Sequence, residues 1–217
     1  MQSRNKDLNK LILLALFAAI AYIIVALIRV PVVMFLSYEP KDVIITIGGF
    51  LFGPVEAFVT SLVVSLVEMV TISGTGPIGC LMNLISTCSF ACVAAVIYKK
   101  QHSLKGAMIA LLAGSLSMIC VMLLWNWLIS PLYMHVPRPA VEAMLLPVFL
   151  PFNALKAGLN SALILGLYKP LTQALRKAQL LPPSRNKSGS TKIGIYLVAM
   201  FLLAICILLL LVWQGKI

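Results

Sequence analysis

Hydrophobic residues fall along this chain in seven runs, and the breaks between them are short and chemically distinct. Leu11 to Ile28 is an apolar stretch behind Arg4, Lys6 and Lys10. Val43 to Phe52 is shorter and carries Gly48-Gly49; Gly53-Pro54 closes it, and Val55 to Ile72 follows. Cys80 to Tyr98, Gly106 to Ile129 and Ala143 to Tyr168 are the fourth to sixth runs, and Ile193 to Trp213 is the seventh. At 1.5 Å per residue the first reaches about 27 Å, close to the hydrocarbon thickness of a bilayer. Such lengths predict membrane-crossing helices. The second run is too short to cross alone, which predicts a helix that is short, tilted or extended by the loop before it. Pro147 and Pro151 remove amide donors near the start of the sixth and predict a kink there.

The breaks predict the connections. Residues 30–42, ending in Tyr38-Glu39-Pro40-Lys41-Asp42, read as a loop, Ser73 to Gly79 as a glycine-rich turn, and the segment with Pro131, Pro137 and Pro139 as another loop. Lys169 to Lys192 is polar, with Pro182-Pro183 and Ser188-Gly189-Ser190 as linker chemistry. The seventh run has neither proline nor charge, so it reads as an anchor or lipid-facing helix appended to a six-helix unit. The expected fold is therefore all-α and polytopic. A six-helix membrane domain over residues 1–178 is followed by a polar cytoplasmic linker, 179–192, and an additional C-terminal transmembrane helix, 193–217.

Composition supports a lipid setting. Hydrophobic residues make up 61% of the 217 and charged ones only 11%, where a soluble domain carries about 25% charged. The first run is longer than the apolar core of a signal peptide and ends in Arg29-Val30-Pro31 instead of a small-residue cleavage site, so it is expected to be retained. The net charge of +11 sits in clusters beside apolar runs, not on one basic face, which argues against nucleic acid. With the amino terminus in the cytoplasm, 12 of the 17 Lys and Arg fall in inner segments, 4 in outer ones, and Lys156 lies within the sixth run. That bias places the loops joining runs one to two, three to four and five to six outside.

Catalysis is poorly supplied. His102 and His135 lie in loops, the five cysteines lie inside apolar runs and read as packing residues, and no zinc spacing, nucleophile elbow or phosphate loop appears. No catalytic residue, metal ligand or cofactor is assigned. The informative residues are polar ones within spans, each of which must find a partner or line a cavity. Asn153, Lys156 and Asn160 share one helical face. Trp125-Asn126-Trp127 sets an amide between two indoles that also suit an interfacial belt. Ser61, Ser65 and Glu68 share a face, and Asn83, Ser86 and Thr87 lie together; both groups suit interhelical hydrogen bonds or a ligand. Glu68 also suits a structural pair with Lys156. All lie in the outer halves of their spans, where donors, amides and apolar walls fit a flat molecule with a polar edge.

Several of these segments resemble one family. Phe35-Leu36-Ser37-Tyr38-Glu39-Pro40-Lys41-Asp42 and Gly48-Gly49-Phe50-Leu51-Phe52-Gly53-Pro54 are similar to the outer loop and second helix of riboflavin-specific substrate-binding subunits of energy-coupling factor (ECF) transporters. The likeness continues through Glu68-Met69, Ser73-Gly74-Thr75-Gly76, Leu81-Met82-Asn83, Leu124-Trp125-Asn126, Pro131-Leu132-Tyr133-Met134 and Leu150-Pro151-Phe152-Asn153, over residues 8–178. The run 193–213 departs from the six helices expected of the family. The resemblance implies capture of extracellular riboflavin in a bacterial plasma membrane. It also implies docking on a transmembrane coupling subunit served by two cytoplasmic ATPases, with no enzymatic activity and no cofactor in this chain. It implies polar contacts from Asn126, Asn153 and Lys156, with Glu68, Asn83, Gly79 and Tyr38 as further candidates. Ala15 and Ala19, four apart on the first run, would let a coupling helix approach closely, or pack within this chain. A subunit for another vitamin or for flavin mononucleotide, and an intramembrane enzyme using Glu68, are the alternatives.

Overall fold

The computed structural model of the protein describes residues 2–178 and residues 200, 203, 204, 206, 207 and 211. Helix α1 (Gln2–Leu27) turns Leu13, Phe17, Ala21 and Val25 inward at a spacing of four, and leaves Leu11, Ile12, Leu16, Ile23 and Leu27 exposed. Helices α3 (Pro54–Thr71), α4 (Gly76–Lys100) and α5 (Leu104–Met134) likewise expose large apolar side chains, among them Val63, Val70, Leu112, Leu116 and Leu124. Water disfavours such surfaces and hydrocarbon accepts them. Among the described residues five stretches are long and apolar enough to span a bilayer: Leu8–Leu27, α3, α4, α5 and Arg138–Lys177. The protein is a multi-pass, all-α membrane protein, with a small β-hairpin among the described residues.

The helix ends follow local chemistry. Pro54 and Pro77 open α3 and α4, where a missing amide proton costs nothing. The Ser103 hydroxyl accepts the Gly106 amide at 3.0 Å and starts α5. Lys99 and Lys100 close α4, and Arg176 and Lys177 close α7 (Leu150–Lys177), each favourable at the negative end of a helix.

Helix α2 (Lys41–Phe52) positions the site. It has only 12 residues, and all from Lys41 to Phe50 are buried among α1, α3, α4 and α7. At 1.5 Å per residue it is about 18 Å long, well short of a bilayer. Enclosed by protein instead of lipid, it can begin with two charges. Its exit is sharp: Gly53 has φ 123°, a region that side chains rarely adopt, and lets α3 double back at once. A Cβ on Gly49 would sit 3.0 Å from Ala57 and 3.1 Å from Ala95, so the glycine permits three helices to meet.

Three segments differ from the sequence reading. The expected loop over 30–42 contains the antiparallel strands β1 (Val30–Val33) and β2 (Leu36–Tyr38), then the first turn of α2. Valine-rich pairing and burial of Leu36 and Tyr38 stabilise the hairpin, with Met34 turning at φ 51°. Helix α5 continues through Pro131 to Met134, beyond the expected end at Ile129; so near a terminus a proline forfeits only one hydrogen bond. The sixth run is built as α6 (Arg138–Met144), a π-helical turn (Leu145–Phe149) and α7. Pro147 lies in that turn and Pro151 in the first turn of α7, so the irregularity expected there is a π insertion.

The expected linker 179–192 and most of the run 193–217 lie outside the described residues. Within that run Leu203 and Cys206 pack against Tyr38, Leu155 and Leu159, so these positions face α7 and the hairpin, not lipid alone.

Candidate functional site

Charge inside the bundle starts from two adjacent residues at the head of α2. Lys41 donates to Glu68 on α3 at 2.7 and 2.5 Å and pairs with Glu39 at 2.9 Å. Glu39 also meets the Arg29 guanidinium at 3.1 Å, and Asn83 on α4 donates to Glu68 at 3.0 Å. Asp42 points to another side. Its Oδ2 lies 3.1 Å from the Lys156 ammonium of α7 and accepts the Asn160 amide at 3.3 Å, while its Oδ1 accepts the Thr87 hydroxyl at 2.6 Å. Lys156 also donates to Ser86 at 3.1 Å. Tyr38 donates to the Asn160 oxygen at 3.1 Å; burial, with the Asp42 charge nearby, holds its hydroxyl well above the ordinary range, so it stays a donor. Buried charges persist only when paired and hydrogen-bonded in this way.

These networks form one wall of an open cavity. Arg29, Ser37, Glu39, Thr75, Asn83, Ser86, Asn153 and Lys156 give it polar edges. Phe35, Leu36, Met82, Met122 and Phe152 give it apolar faces. A second, shallower hollow shares Phe35, Thr75 and Met82 and is lined further by Ile78, Gly79, Trp125, Ile129, Ser130 and Tyr133. The hairpin and the N-terminal end of α4 with its cap Thr75 contribute to both, at the end of the bundle where α7 begins.

Of the residues singled out in the sequence, Lys156, Asn153 and Asn83 meet at the main cavity, and Gly79 lies on the adjoining hollow. The Lys156 ammonium has three N–H bonds and two partners among the described residues, so one donor is left on the cavity wall. Asn153 spends an amide proton on the Phe149 carbonyl at 2.7 Å, within the π turn, and keeps its oxygen uncommitted among the described residues. Asn83 does the same after donating to Glu68. Asn126 lies behind the wall: its amide donates to Met122 at 2.7 Å and its oxygen accepts Ser130 at 2.9 Å. Glu68 and Tyr38 line neither hollow. The counter-charge of Glu68 is Lys41, and that of Lys156 is Asp42. Trp125 lines the second hollow, whereas Trp127 donates to Glu142 at 2.9 Å and lies under Arg138, tying α5 to α6. Ala15 and Ala19 are exposed on α1.

Sequence reasoning missed Asp42, Arg29, Glu39 and Phe35. Asp42 had a signal. A lysine buried in a span demands a carboxylate, and Asp42 directly precedes an apolar run. Phe35 had none, because its place depends on the hairpin folding back over α4.

Among the described residues no three His, Cys, Asp or Glu side chains are grouped to hold a metal. Chemically the cavity offers donors, amide acceptors and flat apolar walls, which suits recognition of a small molecule.

Comparison with known proteins is consistent across three kinds of likeness. The family model for the ECF transporter, substrate-specific component, matches residues 9–168. The riboflavin transporter RibU of Staphylococcus aureus (strain TCH60) is 27% identical over 183 residues, which is 80% of this chain and 96% of that protein. The riboflavin transporter FmnP of Bacillus subtilis (strain 168) is 26% identical over 161 residues, 68% of this chain and 84% of that one. A solved structure described as the S component of a bacterial ECF transporter matches with a TM-score of 0.66 and 28% identity, over 80% of this chain and 99% of that chain.

Proposed function

This chain belongs to the substrate-specific components of ECF transporters, and from that premise we propose that its cavity captures riboflavin. The observation that carries the reading is the convergence of one ammonium donor on Lys156 with the oxygens of Asn83 and Asn153, all uncommitted among the described residues. All three stand on the wall of a cavity faced by Phe35, Met82 and Phe152. The isoalloxazine edge presents an N–H flanked by carbonyl oxygens, and its ring system is flat and apolar. Amide oxygens accept from the N–H; the ammonium donates to a ring carbonyl or a ribityl hydroxyl. The adjoining hollow, with Trp125, Ile129 and Gly79, takes the apolar end of the ring. Asn126 acts one layer behind through Ser130, Glu68 by holding Asn83, and Tyr38 by holding Asn160. The two relatives named as riboflavin transporters support the same ligand.

Charge bias orients the amino terminus to the cytoplasm and the cavity to the outside. The exposed Ala15 and Ala19 dock on the transmembrane coupling subunit, and hydrolysis of ATP by two cytoplasmic partner subunits drives uptake. The chain itself is a binding subunit of six helices, α2 included, and is not an enzyme. The test is spectroscopic. Detergent-purified protein should bind riboflavin stoichiometrically and quench its fluorescence, with flavin mononucleotide, thiamine and biotin run as competitors. Colourless protein without quenching at micromolar riboflavin would sink this reading, and displacement by thiamine or biotin alone would assign another vitamin.

A further inference from the structure

Lys156 reaches the cavity wall from α7, yet nothing on α7 neutralises it. Its counter-charge comes from α2, where Asp42 is fully buried and lines no part of the cavity. Asp42 cannot touch a ligand there. Its carboxylate is nevertheless held at both oxygens: Thr87 of α4 fixes one at 2.6 Å, and Asn160 and Lys156 share the other. Asn160 is itself held by Tyr38 of the hairpin. The Thr46 hydroxyl donates to the Asp42 carbonyl at 2.7 Å within the first turn of α2. The carboxylate is thereby aligned by three elements before any ligand arrives.

A lysine side chain is long and has several rotatable bonds, so an unfixed ammonium spreads its charge over many positions. Binding then pays to order it, whereas a fixed ammonium presents one N–H at one place. Resting on the riboflavin reading above, we propose that Asp42 is the positioning residue of the site. It acts through Lys156, holding that ammonium against the Ser86 side of the cavity so that its third donor meets the ligand. Lys41, the adjacent residue, serves the separate Glu68–Asn83 network, so one dipeptide sets both polar edges of the cavity.

The experiment is a double-mutant cycle on the full chain, read as the riboflavin dissociation constant from fluorescence quenching. Asp42→Asn keeps the shape and removes the charge, and is expected to weaken binding by about tenfold or more, as for loss of a charged hydrogen bond. In a Lys156→Met background the same change is expected to alter affinity by less than about twofold, because nothing is left to position. A purely structural Asp42 predicts either no change or the same factor in both backgrounds, and either result overturns the proposal. If a single change fails to give monodisperse protein, Thr87→Val is read instead. It keeps both charges, removes only the hydroxyl on Asp42 Oδ1, and is expected to weaken binding by about threefold or more. Unaltered affinity in Thr87→Val would then overturn the proposal. Wild-type protein that fails to quench riboflavin overturns the ligand reading and this inference with it. Wild-type quenching with an indifferent Asp42→Asn overturns this inference alone.

Discussion

Two buried lysines illustrate how the same side chain does different work according to what its partners leave unused. Lys41 gives its donors to Glu39 and Glu68, faces no cavity, and so serves the fold. Replacing it by methionine leaves the buried Glu68 without its counter-charge and Glu39 with Arg29 alone, and should destabilise the protein by about 3–5 kcal/mol. Thermal unfolding in detergent measures this, and adding Glu68→Gln should recover part of the loss. Lys156 keeps a donor for the cavity. Lys156→Ala and Asn153→Ala should each weaken riboflavin binding by about 1–3 kcal/mol, the cost of a buried partner left unmade. Titration by fluorescence quenching decides it, and two unchanged affinities would place the ligand elsewhere. Lys156 and Asn153 were legible in the sequence because polar side chains inside apolar runs are conspicuous. The pairing of Lys156 was not: Asp42 stood out beside an apolar run, but nothing local says which of six acidic residues lies opposite a given lysine.

Among the elements, the short helix α2 and its exit govern the site. The pair Gly53-Pro54 marked the break in the sequence, and the structure supplies the reason: the chain reverses there at φ 123°. A Cβ at Gly53 would also stand 2.8 Å from the Glu56 carboxylate. Gly53→Ala should therefore cost about 1–3 kcal/mol of stability, seen as a lower unfolding temperature, with riboflavin affinity in the surviving folded protein little changed. Helix lengths and breaks were legible because each depends on a few neighbouring residues. The hairpin was not, because a strand of three or four residues beside proline and charge looks locally like the loop expected over 30–42. Only pairing of Val30 with Tyr38 and Pro31 with Ser37 distinguishes them.

For the molecule as a whole, the outer face of α1 is the proposed docking surface. Leu13, Phe17, Ala21 and Val25 already occupy the inner face, and Ala15 and Ala19 stand exposed on the other. Ala15→Trp should leave riboflavin affinity of the isolated chain unchanged and abolish uptake by cells that express the complete transporter. Loss of binding in that variant would instead assign this face to the fold. Leu203 and Cys206, packed on Tyr38, Leu155 and Leu159, place part of the C-terminal run on the site side of the bundle, which composition alone had made look like a bystander.

The sequence by itself determined the solvent and the helical runs, because lipid compatibility is set by length and composition over some twenty residues; it also made the polar residues within those runs conspicuous. The family likeness was legible for the same reason, in contiguous segments from Phe35 to Asn153. The tertiary structure alone decided which charges meet. Asn160 and Asp42 are 118 positions apart, Tyr38 and Asn160 122, and Lys156 and Ser86 70. Burial makes each of those contacts obligatory once the helices pack, but which pairs form depends on how α2, α4 and α7 are rotated against one another. That rotation is a property of the assembled bundle and of no single segment.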